Sequence, residues 1–275
     1  NYNLELQNTL TNWQSNFNLE KGPLYKIGYV EGYKDGSARI FFALHHLIVD
    51  SVSWRILIED LNNIYHDKQL CSKGSSYRQW SDIVKEYANN NKAEIEHWSV
   101  VLADHNDTYL DKFRTVDEKE ISFSFSLSND KTKKLLQKAN SAYNTQINDL
   151  LLTAFNYALY EVTNNKVNHL ILEGHGRENI NDNIDLSRTL GWFTIMYPIR
   201  LELKEDLCEN IKQVKETLRQ IPNKGLGYGA LYGYAKTTLP KISFNYLGQF
   251  EKGEGNNNWN IINEDSGRAI HPENK

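Results

Sequence analysis

Two short strings of residues have the types and spacing that proton-transfer chemistry needs. His45 and His46 follow the apolar run Ala38–Leu44, and Glu173 follows a second apolar run that ends at Leu172. Imidazole and carboxylate groups are common general acids and bases, able to take a proton from a substrate and return it. More than 100 residues separate the two strings, so only a folded core can make them face each other across a cleft.

The histidine pair also has a plainer interpretation. Neighbouring side chains at a strand end point to opposite faces, so we expect one of the two rings to face the core and the other a cleft. That geometry argues against a shared metal ion, and no third ligand stands at a spacing typical of zinc. The sequence therefore predicts no metal site, and it leaves open that His45 and His46 are simply two hydrogen-bonded residues at a strand end.

Glu173 has two interpretations as well. At the end of a buried strand, we expect its carboxylate to be partly buried, which would raise its pKa towards the range useful for acid–base catalysis. Gly174 and Gly176 would allow a sharp turn and the close approach of a ligand. The alternative is a tight turn closed by an ion pair, in which Glu173 or Glu178 contacts Arg177.

The elements that must position these residues alternate between helices and strands, which predicts an α/β fold of two lobes joined near residue 110. Asp50 or Ser51 is a plausible N-cap for the helix after the histidines. For the first lobe the periodicity predicts a helix at 4–15, strands at Leu24–Val30 and Ala38–Leu44, helices from Asp50, at Tyr77–Tyr87 and at Ala93–Leu102, and a linker over 103–120. For the second it predicts strands at Ile121–Leu127, His169–Glu173, Trp192–Leu203 and Ile242–Tyr246, and helices at 129–142, 146–162 and 207–221.

Composition limits the class of protein. Of the 275 residues, 40% are hydrophobic and 24% charged, which is typical of a globular chain, and the net charge of -4 argues against a nucleic-acid partner. Two isolated cysteines favour a reducing, cytoplasmic compartment, and no stretch predicts a membrane span or signal peptide. Because the chain begins at Asn1, we expect it to be part of something longer. The glycine-rich segment Pro222–Gly229 follows a helix, so it does not fit a dinucleotide fingerprint, and we expect a flexible or substrate-lining loop.

Six stretches in order resemble the epimerization domains of nonribosomal peptide synthetases, which belong to the condensation-domain superfamily. They are HHLIVDSVSWRIL from His45, NDLLLTAFNYAL at 148–159, EGHGRE at 173–178, RTLGWFTIMYP at 188–198, PNKGLGYG at 222–229 and FNYLGQF at 244–250. The EGHGRE and FNYLGQ types distinguish epimerization domains from plain condensation domains. The resemblance covers most of the chain, but family elements before Asn1 and after the segment Ser266–Pro272 are missing, so we expect a domain incomplete at both ends.

The resemblance implies a fold similar to chloramphenicol acetyltransferase with mixed sheets, here partial: residues 1–110 would form an N-terminal lobe with the histidine motif, and 111–275 a C-terminal lobe with EGHGRE. A peptidyl or aminoacyl carrier protein, one of the neighbouring synthetase domains, would deliver a thioester on its phosphopantetheine arm into a tunnel between the lobes. Removal and return of the Cα proton would interconvert L and D forms during antibiotic biosynthesis. The domain would need no cofactor of its own, no nucleic acid and no membrane.

By the same resemblance, His46 and Glu173 are the catalytic pair, and which of them removes the proton from the L form stays open. His45 and Asp50 would shape the loop. The backbone near His46, and Asn245 or Tyr246, would be candidates for holding the thioester oxygen or a water molecule. The arm would pass near Ser51 and Ser53.

The chain departs from the family at Ser51, where the family usually has glycine. A glycine there would suggest a left-handed backbone or close approach to the arm, so Ser51 would strain the turn or crowd the arm. Two other functions remain open. One is condensation-type peptide bond formation, which shares the histidine motif. The other is a non-catalytic remnant that only binds carrier protein.

Overall fold

The computed structural model describes residues 2–113, 121–234, 239–248, 262 and 264–268. These residues fall into two compact units. The first lies within Asn1–Tyr77, Ile184–Phe193 and Gly248–Lys275, and the second within Arg78–Asn183 and Thr194–Leu247. Each unit is therefore built from separate stretches of sequence. The lobe boundary expected near residue 110 stays a prediction.

The first unit is built on a helix, a hairpin and a second helix. It contains α1 (Tyr2–Ser15), β1 (Tyr25–Val30), β2 (Arg39–Leu44), a 3-10 turn (His46–Ile48) and α2 (Ser51–Tyr65). The strands pair antiparallel, with Ile27 opposite Phe42. Trp13 of α1 lies over Gly28, where a Cβ atom would come within 2.2 Å of the indole ring. A glycine at position 28 therefore lets α1 pack directly on the hairpin, with Trp13 and Phe41 rings 6.1 Å apart.

The second unit combines helices with a mixed sheet. Strands β3 (Val167–Gly174), β4 (Ile195–Glu202) and β5 (Ser243–Phe244) lie in the order β4-β3-β5. β3 runs antiparallel to β4 and parallel to β5. The helices are α3 (Tyr77–Asn90), α4 (Glu94–Val101), α5 (Asn129–Lys134), α6 (Asn140–Tyr143), α7 (Ile147–Thr163), α8 (Leu207–Arg219) and α9 (Leu226–Tyr232). Shorter turns are a 3-10 turn at Thr108–Phe113, a π-helical turn at Leu135–Ala139 and a 3-10 turn at Pro222–Gly225.

The core of the second unit forms where α4, α7 and α9 meet the sheet. Trp98, Leu152, Leu170 and Tyr228 are completely buried. On β4, the alternate residues Tyr197, Ile199 and Leu201 are buried, as the period of two predicts. The α/β fold class with a mixed sheet is therefore confirmed. Among the described residues, no helix combines the length and apolar character that a bilayer crossing demands.

Two predicted elements were wrong. Residues 121–128 form no strand and join neither described sheet, and Phe123 and Phe125 are 90% and 92% exposed. Alternation identifies a face that can be buried, but a strand also needs a hydrogen-bonded neighbour. The segment Pro222–Gly229 is not a flexible loop. It makes a 3-10 turn and then enters α9, whose first residues Leu226, Gly227 and Tyr228 are buried.

The interval expected to be a linker is only partly described. Residues 108–113 make a 3-10 turn, and 114–120 lie outside the described residues. The end of the predicted family string FNYLGQF, residues 249–250, also lies outside them.

Candidate active site

The two histidines differ in exposure, although neither lies in β2, which ends at Leu44. His45 is half-buried: its Nδ1 accepts a hydrogen bond from the amide of Leu47 at 3.2 Å, and its ring meets Phe17 edge-on. His46 begins the 3-10 turn and is exposed, and its ring centre lies 4.9 Å from that of Trp192. His45 therefore supports the turn, while the imidazole of His46 is accessible for chemistry.

Asp50 fixes the start of α2 and the segment that carries Trp192. It is 4% exposed, and one carboxylate oxygen accepts from the amide of Ser53 at 2.7 Å as the N-cap. The other accepts from the amide of Phe193 at 3.3 Å. A single buried carboxylate thus satisfies two backbone donors and joins the histidine motif to the residues that follow Gly191, which supports the predicted role of Asp50 in shaping the loop.

Ser53 and Tyr77 hold the same segment from two further sides. The Ser53 hydroxyl is completely buried, donates to the Gly191 carbonyl at 3.0 Å and accepts from the Gly191 amide at 3.1 Å. The Tyr77 hydroxyl donates to the Trp192 carbonyl at 2.9 Å. Burial, and next the charge of Asp50, raise the pKa of Tyr77, so its hydroxyl stays protonated as this donation requires.

Ser51 begins α2 with helical backbone and an exposed side chain. No left-handed conformation is needed at this position, so the expectation that Ser51 strains the turn was wrong. Of the two serines expected near the phosphopantetheine arm, Ser51 is the accessible one, because the hydroxyl of Ser53 is already committed to Gly191.

Glu173 lies near the end of β3 in the second unit. The expectation that it is partly buried was wrong: Leu170 and Leu172 face the core, and Glu173, one residue further on, points the other way and is exposed. Asn245, just after β5, donates its side-chain amide to Glu173 Oε2. The parallel pairing of β3 and β5 thus brings one side chain from EGHGRE against one from FNYLGQF. Tyr246, the next residue, is half-buried.

The turn after Glu173 has the expected glycine geometry, and the ionic contacts of Glu178 include two other side chains. Gly176 has a φ of +66°, which favours glycine. A Cβ atom on Gly174 would lie 3.2 Å from Ile195, so glycine also gives close packing there. Glu178 contacts His175 at 3.2 Å and Lys224 at 3.0 Å. Burial first, and then the charge of Glu178, raise the pKa of Tyr197 to about 12.

Trp192 and Lys224 were missed by sequence reasoning. Both lie in strings quoted for the family resemblance, but nothing in the spacing singles out a tryptophan against His46 or a lysine against Glu178. Within the described part of the chain, no group of three or more histidine, cysteine or acidic side chains could hold a metal ion.

Comparison with known proteins places these features in a family. The family model described as "Condensation domain" matches residues 4–269. N-(5-amino-5-carboxypentanoyl)-L-cysteinyl-D-valine synthase of Penicillium rubens is 40% identical over 245 residues, covering 88% of this chain and 6% of the synthase. Gramicidin S synthase 1 of Brevibacillus brevis is 39% identical over 267 residues, covering 86% of this chain and 24% of that protein. The chain thus spans a small part of these relatives.

Solved structures agree on the fold. The crystal structure of the epimerization domain from the third module of tyrocidine synthetase B matches with a TM-score of 0.84 and 33% identity, covering 99% of this chain and 66% of that one. The first condensation domain of the calcium-dependent antibiotic synthetase matches with a TM-score of 0.63 and 12% identity, covering 88% and 56%, which is a likeness of fold alone. The chain belongs to the condensation-domain family found in nonribosomal peptide synthetases.

Proposed function

We propose that this chain epimerizes an aminoacyl or peptidyl thioester at Cα while a carrier protein holds the substrate on its phosphopantetheine arm. The observation that carries the proposal is the hydrogen bond from Asn245 to Glu173. It joins the two strings that distinguish epimerization domains from plain condensation domains, and it holds an exposed carboxylate in place near a strand end. The likeness to a solved epimerization domain supports the same activity.

The chemistry assigns a role to each residue. A proton next to a thioester carbonyl is weakly acidic, and its removal leaves an enolate that must be stabilised by hydrogen-bond donors. The imidazole of His46 and the carboxylate of Glu173 are the two groups that exchange protons with Cα, and either can be the base for the L form. Trp192 packs against His46 and orients its ring. Asn245 orients Glu173, and Asn245 or Tyr246 donates to the thioester oxygen or to a water molecule.

Cα-proton exchange provides the test. An aminoacyl group loaded on a carrier protein is incubated in deuterated water with the natural protein that carries this sequence, and deuterium at Cα is measured by mass spectrometry. We expect incorporation by the wild type and a loss of roughly 100-fold or more in His46→Ala and in Glu173→Gln, since general acid–base groups typically contribute that much. The controls are His66→Ala and Glu161→Gln, which change exposed side chains of the same types.

Each outcome has a definite meaning. Incorporation that survives Glu173→Gln at the wild-type rate contradicts the role of Glu173. Peptide bond formation between two loaded carriers, without Cα exchange, would instead establish condensation chemistry. Carrier binding with neither reaction would leave a non-catalytic module.

A further inference from the structure

The carboxylate of Glu178 is held by two partners from different parts of the second unit. Its side chain is 13% exposed, although it lies in a turn at the end of a strand. One oxygen, Oε2, contacts the Lys224 ammonium at 3.0 Å, and the other, Oε1, contacts His175 Nε2 at 3.2 Å. Both oxygens are therefore used, and they connect two different segments of the chain.

His175 is held in one tautomer by the same turn. Its Nδ1 accepts a hydrogen bond from the amide of Arg177 at 3.0 Å, so Nδ1 is unprotonated in the neutral ring. Nε2 then carries the hydrogen and donates it to Glu178. The backbone amide of Arg177 and the carboxylate of Glu178 thus hold the His175 ring in one orientation. Both contacts lie within the turn from Gly174 to Glu178.

Lys224, which contacts Glu178, lies in a stretch of backbone with unusual torsion angles. Asn223, Lys224 and Gly225 have φ values of +41°, +52° and +92°, three consecutive residues in the left-handed region. For residues other than glycine this costs on the order of 1 kcal/mol each, and it persists only where surrounding contacts hold it. At Gly225 a Cβ atom would lie 2.0 Å from the ring of Tyr197, so glycine is needed there for contact as well.

Asn223 supplies the surrounding contacts. Its side-chain amide donates to the Tyr87 hydroxyl and to Glu94 Oε1, at 3.3 Å in the second case. Tyr87 in turn donates to the same carboxylate oxygen of Glu94. The 3-10 turn that carries Lys224 is therefore anchored to α3 and α4. These contacts stabilise the strained backbone conformation that places Lys224 beside Glu178.

We propose that Lys224 and Glu178 are positioning residues for Glu173. Glu173 is the penultimate residue of β3, and Gly174 and Gly176 allow the chain to bend where it leaves the strand. Asn245 fixes the carboxylate from the β5 side, and the ion pair fixes the far end of the turn to the anchored segment Pro222–Gly225. Pro222–Gly225, part of the segment expected to be a flexible or substrate-lining loop, has a structural role in this arrangement. The assignment rests on the proposed function.

In this proposal the ion pair affects the position of Glu173 rather than the free energy of unfolding of the protein. Lys224 is 73% exposed, and such pairs add little to the free energy of unfolding. A small displacement of a catalytic group, in contrast, can cost up to about 100-fold in rate. The test therefore measures local order and turnover separately.

The main variant is Lys224→Met, which keeps most of the aliphatic stem and removes the charge. Its matched control is Lys204→Met, which breaks the Lys204–Glu202 ion pair of 2.7 Å elsewhere in the second unit. In the natural protein we expect kcat for Cα exchange to fall roughly tenfold in Lys224→Met with KM for the loaded carrier unchanged. We expect Glu178→Gln to behave alike, Lys224→Arg to recover most of the rate, and Lys204→Met to match the wild type.

Hydrogen–deuterium exchange of the backbone amides gives a readout that does not depend on activity. We expect faster exchange across residues 174–178 in Lys224→Met than in Lys204→Met. Equal amide exchange and equal kcat in these two variants would overturn the inference. A wild type that shows no Cα exchange would defeat the proposed function, while the amide measurement would still decide whether Lys224 orders the turn.

Discussion

A single side-chain amide connects the two parts of the sequence that most favour epimerization. Asn245 reaches Glu173 because β5 runs parallel to β3 and ends beside it. The residue types were identifiable from sequence, since both stand in recognisable strings. Their contact was not, because it depends on a two-residue strand whose pairing no local pattern specifies. The exposure of Glu173 was likewise misjudged, since the apolar run before it suggested burial while strand parity places it on the opposite face.

Asn245→Ala tests this contact. Hydrogen bonds to charged groups are worth about 1.5 to 3 kcal/mol, so we expect the rate of Cα exchange to fall about 10- to 100-fold. The free energy of unfolding should change little, because Asn245 is exposed. The measurement compares deuterium incorporation and urea unfolding with Asn90→Ala, an exposed asparagine at the end of α3. Equal exchange rates in the two variants would contradict the role given to Asn245.

Among the elements, α2 is the one that sequence reasoning predicted best. Its start was expected at Asp50 or Ser51, and Asp50 is the N-cap. An N-cap residue and apolar residues spaced three to four apart are local features, so a helix start can be predicted from the sequence alone. That Asp50 also binds the amide of Phe193 could not be predicted, because the partner lies 143 residues away and comes from a segment without regular structure.

Two aspartate caps in this chain make a matched pair. Asp50 is buried and serves two amides, whereas Asp206 is exposed and accepts from the amide of Glu209 at the start of α8. We expect Asp206→Ala to cost about 1 kcal/mol, the usual value of a cap. Asp50→Ala should cost about 2 to 4 kcal/mol, since it also leaves buried donors unpaired. Urea unfolding gives both values, and equal costs would show that the second contact of Asp50 contributes nothing.

The segment Ile121–Leu127 shows that periodicity alone does not predict a strand. Four apolar residues alternate with serines, yet the side chains of Phe123 and Phe125 lie almost fully in solvent. Alternation records which residues share a face, and it contains no information about which strand is available to pair with them.

Phe123→Ser and Phe125→Ser test this exposure. Because these rings bury almost no surface, we expect each change to alter the free energy of unfolding by less than about 0.5 kcal/mol. Leu152→Ala, in the completely buried face of α7, should cost about 2 to 5 kcal/mol as a control. A loss comparable to that of Leu152→Ala would mean that the phenylalanines are buried in solution.

At the scale of the whole molecule, the proposed catalytic groups belong to different compact units, His46 to the first and Glu173 to the second. The long sequence separation between them predicted that only tertiary structure could combine their chemistry. Composition and periodicity did not predict a function for the chain. The six strings of the family resemblance did, because the order of motifs along a sequence does not depend on the position of any single strand.

The second unit should be sensitive to acid. Burial lowers the pKa of His169, against weaker opposing effects of its hydrogen bond to Val101 and the charge of Asp104, and burial also lowers the pKa of His97. Between the lowered native pKa values and the usual histidine pKa of about 6.5, the unfolded chain therefore binds more protons than the native one, so stability falls as pH decreases through this range. The charges facing His169 are those of Asp104, His105 and Arg200.

His169→Gln measures this effect while keeping a donor for Val101. We expect the urea midpoint to fall less between about pH 7.5 and pH 5.5 in this variant than in the wild type, because one group with a lowered pKa is gone. His66→Gln, at the exposed end of α2, should keep the wild-type slope. A wild-type slope in His169→Gln would show that the ring is not kept neutral by burial.

The central claim is that this chain interconverts the two configurations at Cα of a carrier-bound thioester. Two samples are prepared, one with carrier protein loaded with the L-aminoacyl group and one with the D form. After incubation with the natural protein, the thioester is hydrolysed and the products are separated by chiral chromatography. Epimerization predicts that both samples converge on the same ratio of L to D. Samples that each keep their starting configuration would contradict the claim.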